Sequence, residues 1–146
     1  MIRAFTAADA EAALILYRHL VGDKPVADHA AFARLVEHPG TCVLGDWAGD
    51  AARAMATLHI LPNMTQGGRP YALIENVVTH TAFRGAGHGR QVMHAAVAAA
   101  WAAECYKIML LTGQTARARG CYEALGFSAD EKWGMTLRRA PLRQSW

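Results

Sequence analysis

Short apolar stretches alternate with turn signals along the 146-residue chain, and the spacing of the apolar positions changes from one stretch to the next. Ile2 to Phe5 alternates as a short strand does. Thr6 then reads as the N-cap of a helix running to about Leu20, with Leu14, Tyr17, Leu20 and Val21 on one side. Gly22 to Pro25 breaks it. Asp28 is placed to cap a second helix that turns Phe32, Leu35 and Val36 inward and stops at His38-Pro39-Gly40. Thr41 to Trp47 and Ala54 to Leu61, joined across Ala48-Gly49-Asp50, read as a hairpin. After a polar loop from Pro62 to Pro70, Tyr71 to Thr79 is the strongest strand. A glycine-rich segment follows, then an Ala-rich helix to about Cys105, a strand from Lys107 to Thr112, and a short helix from Thr115 to Leu125 closed by Gly126. Trp133 to Arg138 is expected as a last strand.

The order β, α, α, β, β, β, α, β, α, β predicts an α+β fold (a mixed α/β sheet). Helices flank a twisted, mainly antiparallel sheet with one parallel β-α-β crossover between Tyr71 and Thr112. No repeat or linker interrupts the pattern, so residues 1–146 are read as a single domain.

Composition narrows the classes of function. Hydrophobic residues make up 53% and charged residues 18%, which excludes a disordered chain. The most apolar stretch, Val92 to Ala103, is too short to span a bilayer, so no membrane partner is expected. The first residues carry no leader-like apolar core, which points to a cytoplasmic location. Cys42, Cys105 and Cys121 form neither a disulfide framework nor a zinc pattern, and His88 and His94 do not share a helix face as metal ligands do, so no metal is expected. The net charge of +3 suits an anionic ligand. The basic residues are scattered in small groups (Arg84 with Arg90, Arg117 with Arg119, and Arg138, Arg139 and Arg143), so no nucleic-acid partner is expected.

The informative segment is Arg84-Gly85-Ala86-Gly87-His88-Gly89-Arg90, which runs from a strand directly into a helix. Glycines let consecutive N–H groups curl inward, and a helix N-terminus adds free N–H groups with partial positive charge. Arg84 and Arg90 add full charges, so the segment suits a diphosphate. It is not a Walker A loop, because Gly89 is followed by Arg90-Gln91 instead of Lys-Ser/Thr. Nor is it a GxGxxG fingerprint, because counting from Gly85 puts Arg90 where the third glycine belongs.

On these residues the chain resembles the Gcn5-related N-acetyltransferase (GNAT) superfamily, whose acetyl-CoA loop reads Arg/Gln-x-x-Gly-x-Gly/Ala. Arg84, Gly87 and Gly89 fill that pattern, and Tyr122-Glu123-Ala124-Leu125-Gly126-Phe127 fills the family's Tyr-x-x-x-Gly-Phe. Ile74-Glu75-Asn76-Val77-Val78 with Phe83-Arg84-Gly85, and Cys105-Tyr106-Lys107-Ile108, look like segments of glucosamine-6-phosphate N-acetyltransferases. Asn76 departs from the Asp of those enzymes, and the segment from Gln114 to Cys121 lacks their Pro-Gln-Asn.

The resemblance implies a GNAT-like fold and an acetyl-CoA-dependent N-acetyltransferase acting on a small-molecule primary amine, amino-sugar-like or anionic. The alternative is an acyl-CoA-binding sensor or interaction protein of the same fold with weak catalysis. It implies acetyl-CoA as co-substrate, bound by Val77, Val78 and Thr79 along the strand, by Arg84, Gly85, Ala86, Gly87, His88, Gly89 and Arg90 in the loop, and by Thr115, which stands where relatives carry Asn. The Val78 N–H is the expected donor to the thioester carbonyl. Glu75, in an apolar strand, is the expected base, with burial raising its pKa towards neutrality; His59 and His80 stand behind it. Tyr122 is the expected acid at the departing thiolate. The loop with Asn63, Gln66 and Arg69 is expected to border the acceptor. The segment from Trp133 to Trp146, with its two tryptophans, is expected to cover a sheet edge in a homodimer.

Overall fold

The apolar patterning delivers a five-stranded sheet in the order β1-β2-β3-β4-β5. The computed structural model describes residues 1–139. They contain β1 (Ile2–Ala4), α1 (Ala10–Val21), α2 (His29–Glu37), β2 (Thr41–Ala48), β3 (Ala51–Leu61), β4 (Tyr71–Thr79), α3 (His88–Ala102), β5 (Ile108–Met109) and α4 (Ala116–Glu123). β1 to β4 pair antiparallel and β5 joins β4 in parallel, as the crossover requires. The chain divides into two compact units, one from Met1 to Leu110 and one from Leu111 onward.

The first unit holds the whole sheet. On one face, Phe5, Leu16, Phe32, Val43, Trp47, Met55 and Val78 form a core beneath α1 and α2. The other face receives Val92, Met93, Ala96 and Ala100 of α3, all buried. Helix α2 starts where the sequence says it should: the Asp28 carboxylate accepts the Ala31 N–H at 2.9 Å, satisfying one of the free amides of the first turn. Thr6 opens a short 3-10 turn (Ala7–Asp9) before α1 rather than capping the α-helix itself.

Strand β4 is not one regular strand. Glu75 faces Thr57 and Val78 faces Met55, so three steps on β4 match two on β3. The extra residue is a bulge, and Asn76 sits there with φ 53°. Asn tolerates this left-handed region better than other side chains with a Cβ. The bulge flips the facing of the strand. Upstream of it, Ala72 and Ile74 pair with Ile60 and Leu58 on the α3 face; downstream, Val78 turns to the α1/α2 core.

In the second unit, Thr115 caps α4 by accepting the Ala118 N–H at 3.2 Å. Gly126, at φ 95°, closes the helix, with the Phe127 N–H reaching back to the Tyr122 carbonyl. Trp133 to Arg138 is not a strand: it has no ladder partner among the described residues, and Trp133, Met135 and Leu137 are almost fully exposed. Alternating apolar residues make a strand only where a neighbouring strand takes up their backbone groups. The rest of the segment read as a dimer edge, residues 140–146 with Arg143 and Trp146, lies outside the described residues.

Candidate functional site

The site is built where β4 loses its neighbour. β5 pairs with β4 only at Ala72–Ile108 and Leu73–Met109, so among the described residues the β5 side of β4 has no strand partner from Ile74 to Thr79. The N–H of His80 donates to the Arg53 carbonyl at 2.8 Å, which sets the phase of the ladder. By antiparallel alternation Val78 and His80 then turn their backbone groups to β3, and Thr79 turns its own to the open side. This corrects the expectation for Val78. Its amide belongs to the β3 ladder, and the amide left to the open edge beyond the bulge is that of Thr79.

The loop from Arg84 to Arg90 delivers the chain onto α3. Gly85 and Gly87 take φ 80° and 85°, and Gly87 is the N-cap of α3. The first helical bond runs from the Gln91 N–H to the Gly87 carbonyl at 3.0 Å, so the amides of His88, Gly89 and Arg90 have no partner one turn back. A Cβ on Gly85 or Gly87 would meet nothing within 4 Å, so the cradle is open. Gly89 differs: a Cβ there would come within 2.8 Å of Thr79 Oγ1, so glycine lets the first turn of α3 lie close against β4. Arg84 reaches back over the strand end, its Nε donating to the Thr79 carbonyl at 3.4 Å. Open N–H groups, a helix N-terminus and exposed Arg84 and Arg90 fit a diphosphate.

His88 adds its amide to this cradle, but its ring points elsewhere. Nδ1 lies 2.6 Å from Oδ2 of Asp46, a fully buried carboxylate on β2. Oδ1 of the same group accepts from Arg53 at 2.8 Å and from the Met1 amine at 3.2 Å. Burial alone works to raise the Asp46 pKa, but the bonds from Arg53, the Met1 amine and His88 outweigh it and hold the carboxyl below its ordinary value. The first turn of α3 is thereby fastened to the sheet through the Asp46 carboxylate. Asp46 is the functional residue that sequence reasoning missed. The signal was available, because an acid in an apolar strand needs a buried partner.

On the opposite face of the bulge lies a cavity of about 360 Å³ between α1, α2 and β4, and Asn76 is its β4 contribution. Tyr17 lines it, with its ring edge-on to Phe32 at 6.4 Å between centroids. The Tyr17 hydroxyl and Thr57 Oγ1 are both buried and unbonded. Burial raises the Tyr17 pKa, and nearby Thr57 partly opposes it. Glu75, opposite Thr57 in the register, is on this same face but exposed. The expected burial of Glu75 is therefore not found, because Glu75 and Asn76 emerge together where the bulge interrupts the alternation.

The two reserve histidines are already engaged. His59 lies 3.0 Å from Thr41 Oγ1. His80 accepts the Ala82 N–H on Nδ1 at 3.1 Å, and its ring lies tilted against that of His19 at 4.0 Å between centroids. Asn63 donates to Thr65 within its own loop, while Gln66 and Arg69 of that loop are exposed. In the second unit Tyr122 is half-buried, its ring edge-on to Phe127 at 6.2 Å. Burial, and then the neighbouring Cys121, push its hydroxyl above the usual tyrosine pKa and keep it protonated. Arg119 pairs with Glu123 and Asp130, which leaves it to the helix surface. Among the described residues no three His, Cys, Asp or Glu are grouped to hold a metal, and no helix is long and apolar enough to cross a membrane.

Comparison with known proteins adds an independent line. Residues 6–127 match the model of the acetyltransferase (GNAT) family. A glucosamine 6-phosphate N-acetyltransferase of Trypanosoma brucei brucei is 36% identical over 77 residues, which is 53% of this chain and 51% of that one; the match thus spans about half of the curated relative. A solved structure from Agrobacterium tumefaciens str. C58 is 40% identical and superposes with a TM-score of 0.89, covering 95% of this chain and 99% of that one. Glucosamine-6-phosphate N-acetyltransferase from Arabidopsis thaliana, at 20% identity and TM-score 0.80 over 96% and 98% of the two chains, shares the fold.

Proposed function

Because this chain belongs to the acetyltransferase (GNAT) family, we propose that it is an N-acetyltransferase that moves an acetyl group from acetyl-CoA to a primary amine of a small molecule, by direct attack with both substrates bound. The observation that carries the reading is the bulge at Asn76, within the stretch of β4 that has no β5 partner, beside the open N-terminus of α3. We take residues 1–146 as a single domain, a reading supported by a family match over residues 6–127 that reaches into both compact units.

When bound, acetyl-CoA supplies the acetyl group as a thioester. The chain's own residues do the rest. Gly85, Ala86, Gly87, His88, Gly89 and Arg90 offer backbone N–H groups to the diphosphate, and Arg84 and Arg90 offer charge. The free edge from Val77 to Thr79 offers strand-like hydrogen bonds to an extended amide chain, and the Thr79 N–H polarises the thioester carbonyl. Glu75, on the cavity face of the sheet, takes the amine's proton directly or through one water. Tyr122 hydrogen-bonds the departing thiolate, and Thr115 sets the start of the helix that carries it.

The test is Gly87→Asp. It puts an L side chain at φ 85° and a negative charge among the free amides. Isothermal titration should show CoA affinity reduced at least tenfold, and unchanged affinity refutes the placement of the diphosphate. CoA binding without turnover of any amine would favour the sensor reading.

A further inference from the structure

The cavity beside Asn76 has a chemical character of its own. Eleven residues line it, and none is Lys, Arg or His. Leu14 and Val21 of α1, Val26 of the connecting segment, and Ala31 and Leu35 of α2 make its walls apolar, with the Tyr17 ring among them. Its two strongly polar side chains are Asp28 and Asn76. Asp28 spends one carboxylate oxygen on the Ala31 N–H. That bond also closes the N-terminus of α2 to any incoming anion, because the helix is already capped by a carboxylate. The second oxygen of Asp28 and the amide of Asn76 remain as acceptors for a cation or an N–H donor.

A phosphate entering this space would find no cation and one carboxylate, and would be repelled while losing its hydration. An amine with an apolar body meets the opposite conditions: burial for the body, a carboxylate at the rim for the ammonium form, and Asn76 at the bulge for the nitrogen. The volume is adequate, since a cavity of about 150 Å³ holds a benzene ring, and this one is about 360 Å³. Asn76 joins the cavity to the strand edge where transfer occurs, so a body seated there presents its nitrogen at the bulge.

We propose that the acceptor is a primary amine on an uncharged apolar body, arylalkyl or branched alkyl, seated in this cavity, and that a phosphorylated amino sugar is not the acceptor. This rests on the acetyltransferase reading and names its substrate class. It parts from the name of the Trypanosoma brucei brucei relative because recognition here follows the residues around this cavity.

The experiment measures thiol release from acetyl-CoA by the full chain with 2-phenylethylamine, isoamylamine and glucosamine 6-phosphate. CoA affinity is titrated in parallel. The expected kcat/KM for 2-phenylethylamine exceeds that for glucosamine 6-phosphate at least tenfold. Ala31→Trp, which fills the cavity, should raise the KM for 2-phenylethylamine at least tenfold and leave CoA affinity within twofold. Val26→Trp, in the segment before α2 where folding is less at stake, should act in the same direction. Faster turnover of glucosamine 6-phosphate overturns the proposal. So does an unchanged KM for 2-phenylethylamine in a folded Ala31→Trp or Val26→Trp variant, or CoA binding with no apolar amine acetylated. Absence of both CoA binding and turnover would instead bring down the acetyltransferase reading itself.

Discussion

Replacing Asp46 by alanine removes the carboxylate that joins β2, Arg53 and the first residue of α3. His88 and Arg53 are largely buried, with 15% and 24% of their side chains exposed, so both would lose a charged partner without gaining full hydration. Breaking a buried pair by deleting one partner costs about 3–5 kcal/mol. The residual exposure of both partners favours the low end, and the Met1 amine, 73% exposed, adds little. A loss of about 3 kcal/mol corresponds to a fall in Tm of about 6–12 °C for a chain of this length. The same change frees the first turn of α3, so CoA affinity should fall although Asp46 is itself buried and proposed to touch no ligand. Differential scanning calorimetry and CoA titration on Asp46→Ala and Asp46→Asn read both effects. The asparagine variant keeps the shape and should recover part of the stability. A Tm within about 2 °C of the parent would refute the assignment of Asp46 as the fastening of α3, and a normal CoA affinity in a destabilised variant would reduce its role to stability alone.

Three further outcomes follow from the site. Glu75→Gln should lower kcat about 10²-fold, the low end for a lost general base because the carboxylate is exposed; CoA affinity should hold and the defect should shrink as pH rises, whereas full activity at every pH would remove Glu75 from the mechanism. Tyr122→Phe should slow turnover without that high-pH rescue, and identical pH profiles for the two variants would refute separate roles. Asp9 is held below its ordinary pKa chiefly by the Arg3 hydrogen bond, and Asp46 is held low as well. Depressed folded-state values mean stability that is complete above the unfolded pKa near 4 and lost as pH falls through the folded values. Tm should therefore stay level on these two groups' account from pH 7 to about 5 and drop below about pH 4, and Asp9→Asn should flatten that drop.

What could be read in advance depended on whether a local rule was in command. Asp28 caps its helix as expected because a cap is decided by a few neighbouring residues. The turn of the Arg84–Arg90 segment onto α3 was legible because three alternate glycines stand between a strand and a helix. The place of the bulge was hidden, since Asn76 inside an apolar run looks like a polar interruption and nothing local says that β3 runs one residue shorter opposite it. The environment of Glu75 followed from that bulge and was hidden with it. Asp46 was passed over because its partners, Arg53 and His88, stand 7 and 42 residues away in sequence and are brought together only by the sheet and α3. Trp133 to Arg138 failed in the other direction: its alternation is real, but pairing is a property of two segments.

The bulge at Asn76 can be regarded as a dislocation, one surplus residue that shifts the lattice on one side of it by half a period. Before it, the even-numbered residues of β4 answer to one helical layer; after it, Val78 answers to the other and Thr79 lies against Gly89. The two halves of the strand are therefore under different rules of replacement, although nothing in their composition marks the boundary. Removing this one residue would heal the dislocation, and in doing so would turn Val78 out of its core, pull Thr79 off α3 and realign the edge on which the proposed chemistry depends. The number of residues in β4 is thus as much a part of the site as any side chain in it.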